Sequence, residues 1–151
     1  MMRTPEDIVK AADILVKVKE PLPEEYNLLE QFAGKTLFTY LHLSGVDKRL
    51  TKVLVNNKIT AIAYETLEDE HGRLPLLAPM SEVAGVLAIQ YGAEYLQKKY
   101  GGRGVTLGTI TGTGSALVVI VGGGYVGATA ARTAAGMGAR VKIFDISQKL
   151  G

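Results

Sequence analysis

Five apolar residues, Leu117-Val118-Val119-Ile120-Val121, run straight into Gly122-Gly123-Gly124-Tyr125-Val126-Gly127. An apolar run of that length, closed by glycine, reads as a buried parallel strand. G-x-G-x-x-G directly after it reads as the tight turn that opens a helix. A second strand over Arg140 to Phe144 ends at Asp145, so residues 117–145 form a predicted β-α-β unit. Gly122 permits the turn, Gly124 lets the backbone approach a pyrophosphate, and Gly127 lets the helix lie close to the strand. The helix N-terminus then offers N–H groups and a partial positive charge to phosphates. Asp145 is placed to accept hydrogen bonds from both ribose hydroxyls, and its charge would repel a 2′-phosphate, which favours NAD over NADP. The candidate cofactor-binding residues are therefore Gly122, Gly124, Tyr125, Val126, Gly127 and Asp145, with NAD as the expected cofactor.

The chain before this unit shows the same alternation. Ile14 to Lys19 reads as a strand ended by Pro21 and Pro23, and Glu24 to Phe32 as a short amphipathic helix. Thr36 to Leu43 is the next strand, with Phe38, Tyr40 and His42 on one face and Leu37, Thr39 and Leu41 on the other. A helix over Asp47 to Asn56 leads to a strand over Ile59 to Tyr64, and Glu68 to Arg73 forms a charged turn. A helix over residues 81–99, capped by Ser81 and carrying Ala84, Ala88, Tyr91 and Tyr95 on one face, then links two α/β units. The expected division is residues 1–77 and residues 78–151. The second unit ends after two parallel strands, with an unpaired edge and an uncovered apolar face, and the first begins without an earlier strand. A fragment is expected.

Composition narrows the class of protein. A hydrophobic fraction of 47% and a net charge of +2, without a basic stripe, describe a soluble globular chain with no nucleic-acid partner. No apolar stretch is long enough for a membrane-spanning helix, and the polar start is unlike a signal peptide. Cysteine is absent, which excludes disulfides and thiolate metal sites and fits a cytoplasmic location. The two histidines, His42 and His71, lie far apart with no carboxylate cluster beside either, so no metal is expected.

At three strand ends, side chains stand where ligands gather in parallel sheets. Lys19 could hold a substrate carboxylate, or could merely share a solvated strand face with Lys17. His42 could move protons near neutral pH, or could be a satisfied structural residue. Tyr64 and Glu65 occupy the matching place on the third strand. Ser81 could touch a cofactor phosphate or simply cap its helix.

Several long blocks carry a family resemblance. They are Val16-Lys17-Val18-Lys19-Glu20-Pro21, Leu37-Phe38-Thr39-Tyr40-Leu41-His42-Leu43, Ala63-Tyr64-Glu65-Thr66, and the run from Leu74 through Pro79-Met80-Ser81-Glu82-Val83-Ala84-Gly85. Gly101-Gly102-Arg103-Gly104-Val105, the glycine fingerprint and Gly136-Met137-Gly138-Ala139 follow in order. Together, from about Ala11 to Asp145, they closely resemble the alanine dehydrogenase family. The resemblance implies an α/β fold of Rossmann-type parallel sheets: part of a substrate domain, then the first half of an NAD-binding domain. It implies that Lys19 holds the substrate carboxylate and carbonyl oxygen, that His42 is the catalytic proton-transfer group, and that Ser81 touches the cofactor phosphates. It places the adenosine ribose on Asp145. The implied reaction is reversible oxidative deamination of L-alanine to pyruvate and ammonia, by an enzyme that is a homo-oligomer when intact. A substrate-binding arginine near the family's N-terminus and a catalytic aspartate in the later cofactor domain have no counterpart here. Two alternatives stand beside this one: the soluble nucleotide-binding part of a proton-translocating transhydrogenase, and a non-catalytic nucleotide-binding remnant. The transhydrogenase reading is disfavoured by the presence of Lys19-Glu20-Pro21, His42 and Tyr64-Glu65.

Overall fold

Among residues 4–147, which the computed structural model describes, every paired strand runs parallel to its neighbour. The chain divides after Leu77 into two units, each with its own sheet.

In the first unit β1 (Ile14–Val16), β2 (Thr36–Thr39) and β3 (Thr60–Ala63) lie in that order, with Leu37 opposite Leu15 on one side and Ala61 on the other. Helix α1 (Pro5–Ala11) is capped by the Thr4 side chain and precedes the sheet. Helices α2 (Tyr26–Glu30) and α3 (Lys48–Asn56) are the crossovers. The alternation along residues 36–41 sets the core: Leu37, Thr39 and Leu41 are buried, and the two leucines pack with Phe32, Leu50 and Leu54. Phe38 and Tyr40, on the opposite face, are only half-buried.

β1 and β2 are shorter than their sequence predicts, because side chains replace the ladder. β1 was expected to reach Lys19. Its last ladder bond is the Lys17 N–H to the Phe38 carbonyl, and beyond it the Tyr64 hydroxyl donates to the Val18 carbonyl at 2.6 Å and the Thr39 hydroxyl to the Lys19 carbonyl at 2.9 Å. β2 was expected to reach Leu43. It stops at Thr39, and the N–H groups of Leu41 and His42 turn instead to the Glu65 carboxylate. His42 therefore lies on an exposed loop and not within a strand among apolar neighbours. The helix expected over Glu24 to Phe32 is a 3₁₀ turn, Pro23–Glu25, followed by α2. There Glu25 reaches back to the Leu22 N–H at 2.7 Å and to the Lys17 ammonium at 2.6 Å, tightening the first turn.

The second unit contains α4 (Ala78–Tyr95), β4 (Leu117–Val121), α5 (Tyr125–Gly136) and β5 (Arg140–Phe144), with Val119 opposite Lys142 in the parallel pair. Val118, Ile120 and Val141 face Ile89, Ala130 and Ala134 of the helices. Leu117, Val119, Val121 and Phe144 face outward and are exposed. The expected cap of α4 is corrected. The helix begins at Ala78, so Ser81 is its fourth residue and not its cap; Pro79 fits the first turn, where no N–H is needed. The face carrying Ala84, Ala88, Tyr91 and Tyr95 is exposed, and the buried residues are Gly85 and Ile89. A helix apolar on nearly every side cannot declare its inner face by pattern. Close approach decides it: a Cβ on Gly85 would lie 2.5 Å from the Val126 carbonyl oxygen.

Candidate functional site

At the carboxyl end of the first sheet the structure brings Lys19, Tyr40, His42 and Tyr64 together. Lys19, well exposed just past β1, stands with its ammonium 5.0 Å from the centre of the Tyr40 ring. Tyr40 stacks with His42 at 6.0 Å between ring centres and meets Tyr64 edge-on at 6.2 Å. Phe38 extends the aromatic group, 5.4 Å from Tyr64. Tyr64 is buried, which pushes its phenol pKa up and keeps the hydroxyl a neutral donor to Val18. The aromatic faces give the cation a favourable quadrupole without competing for its hydrogen-bonding capacity.

Glu20 forms an ion pair with Lys19 at 2.9 Å. That carboxylate holds the Lys19 pKa above its ordinary value, and the Lys19 ammonium holds the Glu20 carboxyl below its own. Both stay charged at neutral pH, so the lysine is a fixed positive point at the sheet end. Sequence reasoning named Lys19, His42, Tyr64 and Glu65 but missed Glu20 and Tyr40. The adjacency of Glu20 to Lys19, and the placing of Tyr40 two residues before His42 on one strand face, were the available signals. His71 lies in the charged turn near Glu70, as its surroundings suggested.

The second unit holds the glycine turn. Gly122 has φ of +101°, which a residue with a Cβ adopts only under strain. Gly127 is packed so closely that a Cβ there would clash with the Gly122 carbonyl oxygen, 1.8 Å away. Gly124 precedes α5 and faces open space. Beside it lies a pocket of about 480 Å³, lined in part by Ser81, Gly122, Gly124, Tyr125, Val126 and Gly127. Ser81 thus reaches the glycine turn from α4 although it caps nothing. A second hollow of about 460 Å³ lies between Gly122, Phe144 and Asp145. The Asp145 carboxylate accepts hydrogen bonds from the Gly123 and Ser147 N–H groups, which hold its pKa below the usual range. A backbone turn with open space at Gly124, an ionised aspartate at the next strand end and a helix N-terminus suit a dinucleotide with free ribose hydroxyls. Among the described residues no group of three or more His, Asp or Glu is placed to hold a metal, and no helix is long and apolar enough to cross a membrane.

The family model described as alanine dehydrogenase/PNT, N-terminal domain, matches residues 1–84, and that of the C-terminal domain matches residues 88–150. The chain belongs to the alanine dehydrogenase/PNT family. Within the family it is 50% identical over 149 residues to the alanine dehydrogenase of Methanococcus maripaludis, covering 99% of this chain and 39% of that protein. It is 49% identical to the alanine dehydrogenase of Mycolicibacterium smegmatis, again over 39% of the relative and 97% of this chain. A solved L-alanine dehydrogenase superposes with a TM-score of 0.84 at 49% identity, covering 97% of this chain and 39% of that one. A transhydrogenase from Sinorhizobium meliloti superposes with a TM-score of 0.76 at 20% identity, over 97% of this chain and 42% of its own, which shows the fold alone. The α/β fold with Rossmann-type parallel sheets expected from sequence is that of the family. The chain spans about two fifths of the length of these alanine dehydrogenase/PNT relatives.

Proposed function

We propose that this chain supplies substrate-holding and nucleotide-holding parts of a cytoplasmic, NAD-dependent alanine dehydrogenase. The observation that carries the reading is the assembly at the end of the first sheet, where a paired ammonium and an exposed imidazole flank one tyrosine ring. Lys19 holds the carboxylate of L-alanine or pyruvate and stabilises charge developing on the carbonyl oxygen. Glu20 keeps that ammonium protonated and in place. His42 takes and returns the protons at nitrogen and oxygen, work suited to an exposed imidazole with two ring nitrogens. When bound, NAD would supply the acceptor for the hydride that leaves the alanine Cα. Gly122, Gly124, Tyr125, Val126 and Gly127 form the turn against its pyrophosphate, with Ser81 alongside. Asp145 takes the adenosine ribose, and the intact enzyme is a homo-oligomer.

The test is a titration of the chain with NADH, read by nicotinamide fluorescence, followed by pyruvate and ammonium in the same cuvette. Saturable binding and NADH consumption are expected of a working dehydrogenase. Binding without consumption indicates a nucleotide-binding remnant, and the absence of both binding and consumption overturns the reading for this chain.

Asp145 carries a separate prediction. Asp145→Ala should weaken NADH binding about tenfold, since each ribose hydroxyl loses a charged acceptor. It should also narrow the preference over NADPH, because the repulsion of a 2′-phosphate goes with the carboxylate. Parallel titrations with the two nucleotides check both parts. An unchanged ratio of affinities would remove Asp145 from cofactor selection.

A further inference from the structure

His42 holds a φ of 42°, in the left-handed region where a residue with a Cβ is strained unless its surroundings hold it there. The holding group is visible. Glu65 Oε1 accepts the His42 N–H at 2.8 Å and the Leu41 N–H at 3.1 Å, while Oε2 lies 3.2 Å from the same Leu41 nitrogen. One carboxylate thus gathers two successive N–H groups where the β2 ladder stops, an arrangement in which backbone dipoles converge on an anion. Glu65 is itself well anchored. It sits in the 3₁₀ turn Tyr64–Thr66, whose first residue, Tyr64, is buried and tied to the Val18 carbonyl.

From the other side, the Gly45 N–H donates to the His42 carbonyl at 2.8 Å. The imidazole lies directly over the bare Gly45 Cα: a Cβ there would fall 2.3 Å from both Cδ2 and Nε2 of the ring. Tyr40 flanks the same ring, nearly parallel at 18°. Backbone conformation, and not a side-chain hydrogen bond, therefore sets where the imidazole points.

We propose that Glu65 is a positioning residue, which fixes the His42 ring between Gly45 and Tyr40 by clamping the main chain at Leu41 and His42. The value of that position rests on the reading of His42 as the proton-transfer group, but the clamp itself can be measured without turnover. Without the carboxylate, the Leu41–His42 segment is free to relax toward extended backbone and carry the ring away from the sheet end.

The experiment is proton NMR on the whole chain. His42 and His71 are its two histidines, so His71 serves as an internal reference. The parent should show nuclear Overhauser contacts from the His42 ring to Gly45 and Tyr40. In Glu65→Ala these contacts should vanish and the Leu41 and His42 amides should exchange at least about tenfold faster, with His71 and the Phe38–Tyr64 contact unchanged. Glu65→Gln keeps one acceptor oxygen and should retain part of the protection. His42→Gly covers the case in which Glu65→Ala fails to fold, because glycine occupies the left-handed region without a clamp. In that background Glu65→Ala should remain folded even where it unfolds the parent, and where both fold its drop in melting temperature should be less than half of that in the parent. An unmoved His42 ring in Glu65→Ala, or equal temperature drops in both backgrounds, overturns the proposal. Loss of turnover with the ring still in place would count against the role given to His42 and leave the clamp standing.

Discussion

Gly127→Ala is expected to destabilise the second unit by about 3 kcal/mol, at the upper end of the range for a forced overpacking, and to abolish NADH binding. The added Cβ would meet the Gly122 carbonyl oxygen at 1.8 Å, its carbonyl carbon at 2.9 Å and Ile120 Cγ2 at 3.3 Å. The first two are backbone atoms of the turn, and Gly122 already holds a φ of +101°, so no rotamer change relieves the contact. Either α5 lifts away from β4 or the turn opens. Lifting α5 uncovers Ala130 and Ala134, which are buried against the sheet, and opening the turn displaces the Gly123 N–H from Asp145. Both routes damage the surface offered to a dinucleotide, so stability and binding fall together. Urea unfolding followed by circular dichroism, beside a fluorescence titration with NADH, measures the two effects on one sample. Gly136→Ala makes a suitable control, because a Cβ there meets nothing within 4 Å and α5 ends at that residue. A Gly127→Ala chain that keeps both properties would show that the turn is far softer than its close packing implies.

The second unit was the more legible in sequence, and the reason is local. A five-residue apolar strand, a glycine turn and a helix are consecutive in the chain, so spacing alone carries their geometry, and β4 and β5 form over the ranges expected with α5 between them. The first unit shows where such reasoning ends. Alternation from Leu37 to Leu41 sorted the buried side of β2 from the side carrying Phe38, Tyr40 and His42. It could not show that Glu65, from residues much later in the chain, ends the strand by taking the next two N–H groups. Nor could it show Thr39 and Tyr64 doing the same to β1 through carbonyls. Each is a long-range, side-chain-to-backbone bond with no periodic signature, and together they create the sheet end on which Lys19 and His42 stand. α4 failed for the opposite reason: its pattern was apolar in too many directions to select a face, and the bare Gly85 selected it instead.

Phe32→Ala should have the largest effect on stability, about 4 kcal/mol, as expected when a fully buried aromatic side chain leaves a cavity that rigid neighbours cannot close. Phe32 has 0% exposure and packs within the core formed by Leu29, Leu37, Leu50 and Leu54. It also supports a polar anchor. Lys35 passes its ammonium 5.2 Å from the Phe32 ring and binds the carbonyls of Val9, Lys10 and Ala12 at 3.1, 3.0 and 2.7 Å, holding the end of α1 against the sheet. Removing the ring thus opens a cavity beside Leu37 on β2 and takes away the surface on which Lys35 rests. Because β2 leads directly into Tyr40 and His42, the damage should reach the candidate site as a loosened His42 ring before the unit unfolds. The chain contains no tryptophan, so the transition is best followed by circular dichroism or methyl NMR signals. Val121→Ala supplies the contrast: at 87% exposure it should shift stability by no more than about 0.5 kcal/mol. Equal losses from the two substitutions would mean that the core of the first unit is not where stability resides. A large Phe32→Ala loss with a rigid His42 ring would mean that Glu65 and Gly45, and not the core beneath β2, are sufficient to hold the site.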